Sequence, residues 1–369
     1  MVKVARSDAI DADGLARLRL IRTSSIGPVT YRHLLARFPS PQEAIDALPH
    51  LARRGGGRPP RVPSIAEAER ELEHVAALGG RHIFLGREGY PAPLAQTEDA
   101  PPALIAVGNT ALFTRPMVAM VGARNASAAA VRFARQLAYD LASLGYVVVS
   151  GLARGIDTAA HRGALDGGTI GVVAGGIDIF YPPENEALQQ DMATRGLVLS
   201  EQPPRTEPHA RHFPSRNRII AGLSEGTVVV EAAPRSGSLI TARLAADYGR
   251  EVMAVPGSPL DPRAQGCNLL IREGATLVQS AEDVAEMLRP LGESHVAAVR
   301  SPYVLDAPAE DIEWADRERV LGLLSPSPVA IDEVVRQSAL APATVHAVLL
   351  ELELAGRLTR HAGARVSLL

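Results

Sequence analysis

Between residues 81 and 290, short runs of β-branched and apolar residues alternate with longer stretches of helical periodicity. The runs 147–149 and 228–230 are unbroken Val-Val-Val, with no polar residue on either face. A strand without polar alternation belongs in a sheet covered on both faces, and intervening helices allow such strands to run parallel. The sequence therefore predicts an α/β fold with a Rossmann-like, mostly parallel, doubly wound sheet.

The predicted elements of this region follow one another closely. We expect strands at 117–121, 147–150, 169–173, 197–200, 227–231, 251–255 and 276–278, and helices at 128–144, 158–165, 216–223 and 238–248.

Both flanks of the sheet region are predicted to be helical. Ser40 and Ser64 each precede a glutamate by three residues, which is the pattern of a capping box at a helix N-terminus. Near the C-terminus, three short helices and a hairpin form the pattern of a winged helix. We expect those helices at 319–324, 331–337 and 343–355, and the hairpin strands at 357–360 and 365–368. The predicted domains are thus 1–80 (helical), 81–290 (Rossmann-like), 291–312 (linker) and 313–369 (winged helix).

The charge of the chain limits how it could bind nucleic acid. The net charge is −3 and Lys3 is the only lysine among 38 lysines and arginines, so positive charge must be local and carried by arginine. No lysine is available for a phosphate-binding Walker loop or a Schiff base. The single cysteine, Cys267, fits a reducing cytosol, and no apolar run is long enough to span a membrane. We therefore expect a cytoplasmic protein without membrane contact.

Four loops are predicted to follow strands or to begin helices at one edge of the sheet, where free N–H groups bind anions. Each contains small residues, and three also contain arginine. The candidate site residues are Arg124 and Ser127 in the first loop, Ser150, Gly151 and Arg154 in the second, Phe213, Arg216, Asn217 and Arg218 in the third, and Ser236, Gly237 and Ser238 in the fourth.

Several anion-binding loops along one edge suit a ligand with phosphates at successive positions, which is a polynucleotide strand. Phe213 would offer a base a stacking surface; a place in the core is the equally weighted alternative. Dinucleotide binding is disfavoured, because residues 122–124 break the glycine fingerprint and Ser150 stands where an acidic residue is needed. The motifs of serine hydrolases, zinc proteases and redox dithiols are absent from the sequence, and the histidines lack metal-ligand spacing. We expect no catalysis, no metal and no cofactor.

These loops resemble the DNA-processing protein A family (DprA, also called Smf). The resemblance rests on the blocks 121–124, 150–157, 175–178 with Tyr181-Pro182, 213–224, 236–242, 255–257 and 266–271. Residues 26–30 resemble the SAM or helix-hairpin-helix-like module of the family, and the C-terminal part resembles its winged helix.

The resemblance implies a protein that binds and protects incoming single-stranded DNA during natural transformation. It also implies that the protein helps to load the RecA recombinase and acts as a homodimer. In this family Arg124, Arg154, Phe213, Arg216 and Arg218 would line the DNA pocket, and Ser150, Gly151 and the 236–238 turn would supply backbone and hydroxyl contacts.

Two features depart from the family pattern. Pro183 and Glu184 follow the Tyr-Pro pair where many members have a basic residue. Glu351 and Glu353 lie on the helix that would read DNA in a winged helix, and that helix has no lysine or arginine. Acidic side chains repel phosphate, so we expect this domain to be a protein contact or a module that regulates dimerisation.

Two other functions remain open. Residues 226–231, Gly-Thr-Val-Val-Val-Glu, are similar to a motif of the phosphoribohydrolases that cleave nucleoside monophosphates, although the preceding glycine pair is replaced by residues 223–225. The other alternative is a transcription regulator, with the winged helix on duplex DNA and the Rossmann-like domain sensing a nucleotide; the acidic helix disfavours it.

Overall fold

The computed structural model describes residues 11–289, 312–361 and 363–369. The chain divides into two compact units, one formed by residues 1–69 with 295–369 and the other by residues 70–294. All of the predicted linker except Ile312 falls outside the described residues.

Four helices begin the described chain. They are α1 (Ala12–Ile21), α2 (Pro28–Arg37), α3 (Pro41–Arg54) and α4 (Ile65–Ala77). The two predicted capping boxes mark real helix starts: Ser40 Oγ accepts from Glu43 N at 3.2 Å, and Ser64 Oγ accepts from Glu67 N at 3.2 Å.

The second unit is built on a nine-stranded sheet. Its strands are β1 (Gly80–Phe84), β2 (Ala103–Gly108), β3 (Met117–Gly122), β4 (Val147–Ser150), β5 (Thr169–Val172), β6 (Leu197–Ser200), β7 (Gly226–Val230), β8 (Glu251–Ala254) and β9 (Thr276–Leu277). The helices after α4 are α5 (Ala92–Ala95), α6 (Ala128–Ser143), α7 (Ile156–Ala164), α8 (Glu186–Arg195), α9 (His212–Leu223), α10 (Gly237–Asp247), α11 (Gln265–Arg272) and α12 (Ala281–Leu288).

The strand order is β1-β2-β6-β5-β4-β3-β7-β8-β9. From β6 to β9 all neighbours are parallel, whereas β2 pairs antiparallel with β6 and β1 antiparallel with β2. The chain therefore proceeds outward from β3 through β4, β5 and β6, and then returns to continue from β7 on the other side of β3. The point where the order reverses lies between β3 and β7.

Both faces of this sheet are buried, as the unbroken valine runs require. Val147 and Val149 pack into one apolar cluster, and Val148 between them packs into a second cluster with α6 and α7. The predicted doubly wound, mostly parallel sheet is confirmed. The antiparallel strands β1 and β2 were not predicted.

The C-terminal part contains α13 (Trp314–Gly322), β10 (Val329–Ala330), α14 (Ile331–Ser338), α15 (Pro342–Leu354), β11 (Leu358–His361) and β12 (Arg365–Leu368). The three strands form a small sheet in the order β10-β12-β11. Three helices with this sheet make a winged helix, as predicted.

Helix α15 packs against the N-terminal helices within the first unit. Leu350 and Leu354 belong to the same apolar cluster as Leu20 and Leu51. Between them on α15, the buried side chain of Glu351 pairs with Arg54 of α3 at 3.1 Å.

The two glutamates of α15 were expected to repel phosphate, but in the structure both form ion pairs with arginines of the same unit. Glu351 also accepts from Arg317 Nε and Nη2, at 3.1 and 2.9 Å, and Glu353 pairs with Arg360 at 2.9 Å. Arginines of the same unit therefore neutralise both carboxylates, and α15 contacts another part of its own chain.

Candidate nucleic-acid interface

The loops that follow β3, β4 and β5 meet the start of α9 around one cleft at the C-terminal edge of the sheet. The cleft has a volume of about 280 Å³, just below the range of ordinary small-molecule pockets. Of the candidate residues, it brings together Arg124, Gly151, Arg154, Phe213 and Arg216.

Phe213 lies in the wall of the cleft, not in the core. Its ring centroid is 5.8 Å from that of Tyr181, with the rings tilted by 59°. The guanidinium carbon of the exposed Arg124 lies 5.1 Å from the Phe213 centroid on α9. Tyr181 is 49% exposed, so an aromatic surface beside a cation is open to solvent.

Arg154 reaches the rim of the cleft but is paired there. Its Nη2 lies 2.6 Å from Glu184 Oε1, and both side chains are about 60% exposed. Glu184 is the acidic residue that departs from the family pattern, and it neutralises a cation that could otherwise contact phosphate. An exposed pair of this kind is weak, so a phosphate can compete for the arginine.

Arg216 forms the floor of the cleft. Its guanidinium is buried and donates to the carbonyl oxygens of Gly151 and Val172, and its Nε donates to Asn217 Oδ1 at 3.2 Å. Burial lowers the pKa of Arg216 to about 10, although the nearby Asp157 opposes that shift, so the side chain remains charged at neutral pH. A Cβ at Gly151 would collide with this guanidinium, which explains the glycine. Asn217 supports Arg216 and does not line the cleft.

The amides of the loop between β4 and α7 are already bonded within the protein. Asp157 Oδ2 accepts from Gly151 N at 3.1 Å and from Ala153 N at 3.3 Å. His161 Nε2 accepts from Leu152 N at 3.3 Å. Burial lowers the pKa of His161 to about 3, so the ring is neutral and its Nδ1–H can donate to a threonine hydroxyl. This loop therefore offers a ligand few free N–H groups.

The serines of the first two loops have structural partners. Ser150 is fully buried, and its hydroxyl donates to Met120 O at 2.6 Å. Ser127 caps α6 by accepting from Ala130 N at 3.1 Å. Ser127 also donates its N–H and its hydroxyl to the two carboxylate oxygens of Glu231, at 2.8 and 2.6 Å.

Arg218 and the fourth loop also lie outside the cleft lining. The side chain of Arg218 is 10% exposed, and its guanidinium pairs with Glu201 at 2.5 Å and donates to the carbonyl of Asp99. Ser236 caps α10 by accepting from Ser238 N at 3.3 Å, while Gly237 is exposed beside them.

The structure adds the ring of Tyr181 to the aromatic wall, a role that the sequence alone did not indicate. The tyrosine precedes a cis peptide bond to Pro182. No single motif could have signalled this pairing, because Phe213 lies on a different element.

Two negative findings complete the description of the site. In the described parts of the chain, no three His, Cys, Asp or Glu side chains lie close enough to hold a metal ion. Nor does any described helix have both the length and the apolar character needed to cross a membrane.

Together the fold and the site define a class: proteins with a Rossmann-like domain, a cleft walled by arginine and aromatic side chains, and helical and winged-helix flanks. The chain belongs to the DNA recombination-mediator protein A family, whose model matches residues 81–289. Models of the DprA-like N-terminal HHH domain and the DprA winged helix domain match residues 11–74 and 305–364.

Relatives cover most of the chain. The putative DNA processing protein DprA of Mycobacterium tuberculosis is 37% identical over 338 residues, which are 91% of this chain and 83% of the relative. DNA processing protein DprA of Bacillus subtilis is 44% identical over 232 residues, which are 62% and 76% of the two chains.

The chain is also similar to solved structures of DNA processing protein A. That of DNA processing protein A from Streptococcus pneumoniae is 36% identical with a TM-score of 0.64, covering 76% of this chain and 99% of that one. A structure of DNA processing protein A from Helicobacter pylori, described as giving insight into its single-stranded DNA binding mode, is 31% identical with a TM-score of 0.52. It covers 56% of this chain and 95% of its own.

Proposed function

We propose that this protein binds single-stranded DNA in the cleft at the C-terminal edge of its sheet. The observation that carries the proposal is the exposed Arg124 guanidinium 5.1 Å from the Phe213 ring, with Tyr181 beside it. The single-stranded DNA binding described for the Helicobacter pylori relative supports the same ligand here.

The chemistry of the cleft suits an unpaired strand. Arg124 and Arg154 are the lining arginines exposed to solvent, so they contact the phosphates. Phe213 and Tyr181 contact a base by stacking, which requires a base face that a duplex keeps covered. Arg216 adds positive potential from below without reaching the strand. Of the candidate residues outside the cleft, Ser127, Ser150, Asn217 and Arg218 act by holding the loops in place.

The cellular role follows from the family. We propose that the protein protects incoming DNA during natural transformation, loads RecA recombinase onto it, and works as a homodimer in the cytoplasm. In this proposal it performs no catalysis and needs no cofactor. Our proposed division into domains remains 1–80, 81–290, a linker at 291–312, and 313–369.

The phosphoribohydrolase alternative gains no support from the site. The segment Gly226–Val230 is a fully buried strand, and the Glu231 carboxylate after it is bonded to Ser127. A glutamate held in this way is not free to contact a nucleotide sugar.

Fluorescence anisotropy of a labelled oligo-dT, compared with its duplex across a salt series, tests the proposal. We expect strong, salt-dependent binding of the single strand and weaker binding of the duplex. Equal affinity for both would contradict a site built on base stacking. Absence of single-strand binding at low salt, together with release of free base from AMP, would favour the hydrolase instead.

A further inference from the structure

Doubly wound sheets take their ligands in the crevice where the strand order reverses, at the C-terminal ends of the strands. In this protein that crevice lies between β3 and β7. Phosphates bound there are held by free N–H groups at the start of the following helix. The cleft described above is displaced from this point, because its lining comes from the loops after β3, β4 and β5 and from α9.

The side chain of Glu231 bridges the crevice. This residue follows β7 directly and has φ of 51°, in the left-handed region that a glutamate rarely adopts. Its two carboxylate oxygens accept from the N–H and the hydroxyl of Ser127, the residue that caps α6 after β3. One oxygen thus accepts from the backbone, as a ligand phosphate does at a helix start.

A second carboxylate has the same role in the adjacent loop. Asp157 is 6% exposed and accepts from the N–H groups of Gly151 and Ala153. The N–H between them, on Leu152, is bonded to the neutral ring of His161. Three successive amides in the loop after β4 therefore have acceptors inside the protein.

We propose that the carboxylate of Glu231 is a built-in anion that makes this site selective for a DNA strand over free nucleotides and inorganic phosphate, while Asp157 occupies the amides of the adjacent loop. The proposal rests on the single-strand function proposed above, and it assigns to Glu231 the choice between polymer and monomer. A free phosphate would have to displace a carboxylate that is already bonded, and it would be repelled by that negative charge. A strand avoids both costs, because its phosphates meet the side chains of Arg124 and Arg154 outside the crevice.

The test is a calorimetric titration of the full-length protein with thymidine monophosphate and, separately, with inorganic phosphate at constant ionic strength. Wild type is compared with Glu231→Ala, which opens the crevice, and Glu231→Gln, which keeps it filled but removes the charge. The matched control is Glu251→Ala, since Glu251 is exposed at the start of β8 and therefore at the opposite edge of the sheet. Asp157 is left intact because it faces the buried Arg216.

We expect wild type and Glu251→Ala to bind the monophosphate with Kd above about 1 mM, which is weaker than about −4 kcal/mol. Glu231→Ala should bind it about tenfold tighter or more, because a charge-assisted bond to the freed amide becomes available. Glu231→Gln should show a smaller increase in affinity for the monophosphate.

Two results would overturn the inference. One is a wild-type Kd for the monophosphate well below about 1 mM, and the other is a folded Glu231→Ala variant whose affinity for the monophosphate is no higher than that of wild type. Circular dichroism and the urea midpoint establish folding, and if Glu231→Ala fails to fold, absence of any gain in Glu231→Gln overturns the inference instead. The oligo-dT measurement is independent of these titrations. If the wild-type protein binds oligo-dT and also binds the monophosphate tightly, this inference alone is refuted. If the wild-type protein does not bind oligo-dT, the proposed function is refuted.

Discussion

Replacing Arg124 and Arg218 by alanine, one at a time, separates a ligand-binding arginine from a structural one. Both were expected from the family resemblance to line the DNA pocket. In the structure Arg124 is exposed at the cleft beside Phe213, whereas Arg218 is buried and paired with Glu201. Loss of each positive charge should therefore have a different measurable effect.

The expected loss for Arg124→Ala is in binding. One charge-assisted bond to a phosphate contributes about 1.5–3 kcal/mol, and a cation–π contact at an exposed site about 0.5–1 kcal/mol. Because the side chain is exposed, we take the lower half of the sum, about 2–3 kcal/mol, or roughly 30- to 150-fold in Kd. The slope of log K against log salt should become shallower by about 0.7, the value for one phosphate of a single strand.

The expected loss for Arg218→Ala is in stability. Without the guanidinium, the largely buried carboxylate of Glu201 loses its ion pair with Arg218, and the carbonyl of Asp99 loses a donor. Breaking such a pair costs about 3–5 kcal/mol. The folded fraction that remains should bind oligo-dT with the wild-type salt slope.

The assay is oligo-dT anisotropy at four or more salt concentrations, together with urea unfolding of the same samples. Arg124→Lys is the control, because it restores the charge without the planar guanidinium. A wild-type slope for Arg124→Ala, or a shallower slope with unchanged stability for Arg218→Ala, would refute the assignment of these two arginines.

Three further predictions concern other charged residues. Glu184→Lys ends the pairing with Arg154 and adds a cation, so oligo-dT should bind more tightly and with a steeper salt slope; an unchanged slope would contradict this. His161, with its pKa lowered to about 3 by burial, gains a proton below pH 6.5 only in the unfolded chain. Stability to urea should therefore fall by about 1.4 kcal/mol per pH unit as the pH drops below 6.5, and His161→Gln should remove that contribution; identical pH profiles would exclude it. Glu351→Ala leaves two arginines without their buried partner, which should cost about 3–5 kcal/mol and increase hydrogen exchange in α3 and α15; unaltered exchange in those helices would argue against it.

The parallel core of the fold could be predicted because buried strands and capped helices have local signals. Strands β3 to β9 lie within about two residues of their predicted positions, since each is a short apolar run between turn residues. Helix α9 starts at His212, four residues before its predicted start, because Pro214 lies in the first helical turn, where a proline is tolerated.

The strands β1 and β2 were missed because they pair antiparallel at the edge of the sheet, and only the four-residue helix α5 lies between them in place of a long crossover helix.

The loops of the site were predictable, but their internal partners were not. Glycine, serine and arginine at strand ends indicate anion binding, and the cleft does form there. However, the acceptor of the Ser127 amide is Glu231, 104 residues away, and the acceptor of the Arg218 side chain is Glu201 on another loop. Only the folded chain reveals which polar groups are already bonded and which are left for a ligand.

The packing of α15 on the N-terminal helices has a consequence for synthesis on the ribosome. Arg357 donates to the carbonyl of Gly55, 302 positions earlier in the chain, and Leu350 and Leu354 complete the apolar cluster around Leu20. At translation rates of about 5–20 residues per second, the first helices wait about 15–60 s for these partners. The second unit, encoded in between, can finish folding during that time. A nascent chain that stalls before α15 would leave the apolar surface of the early helices exposed, because residues made late complete a cluster that is begun much earlier in the chain.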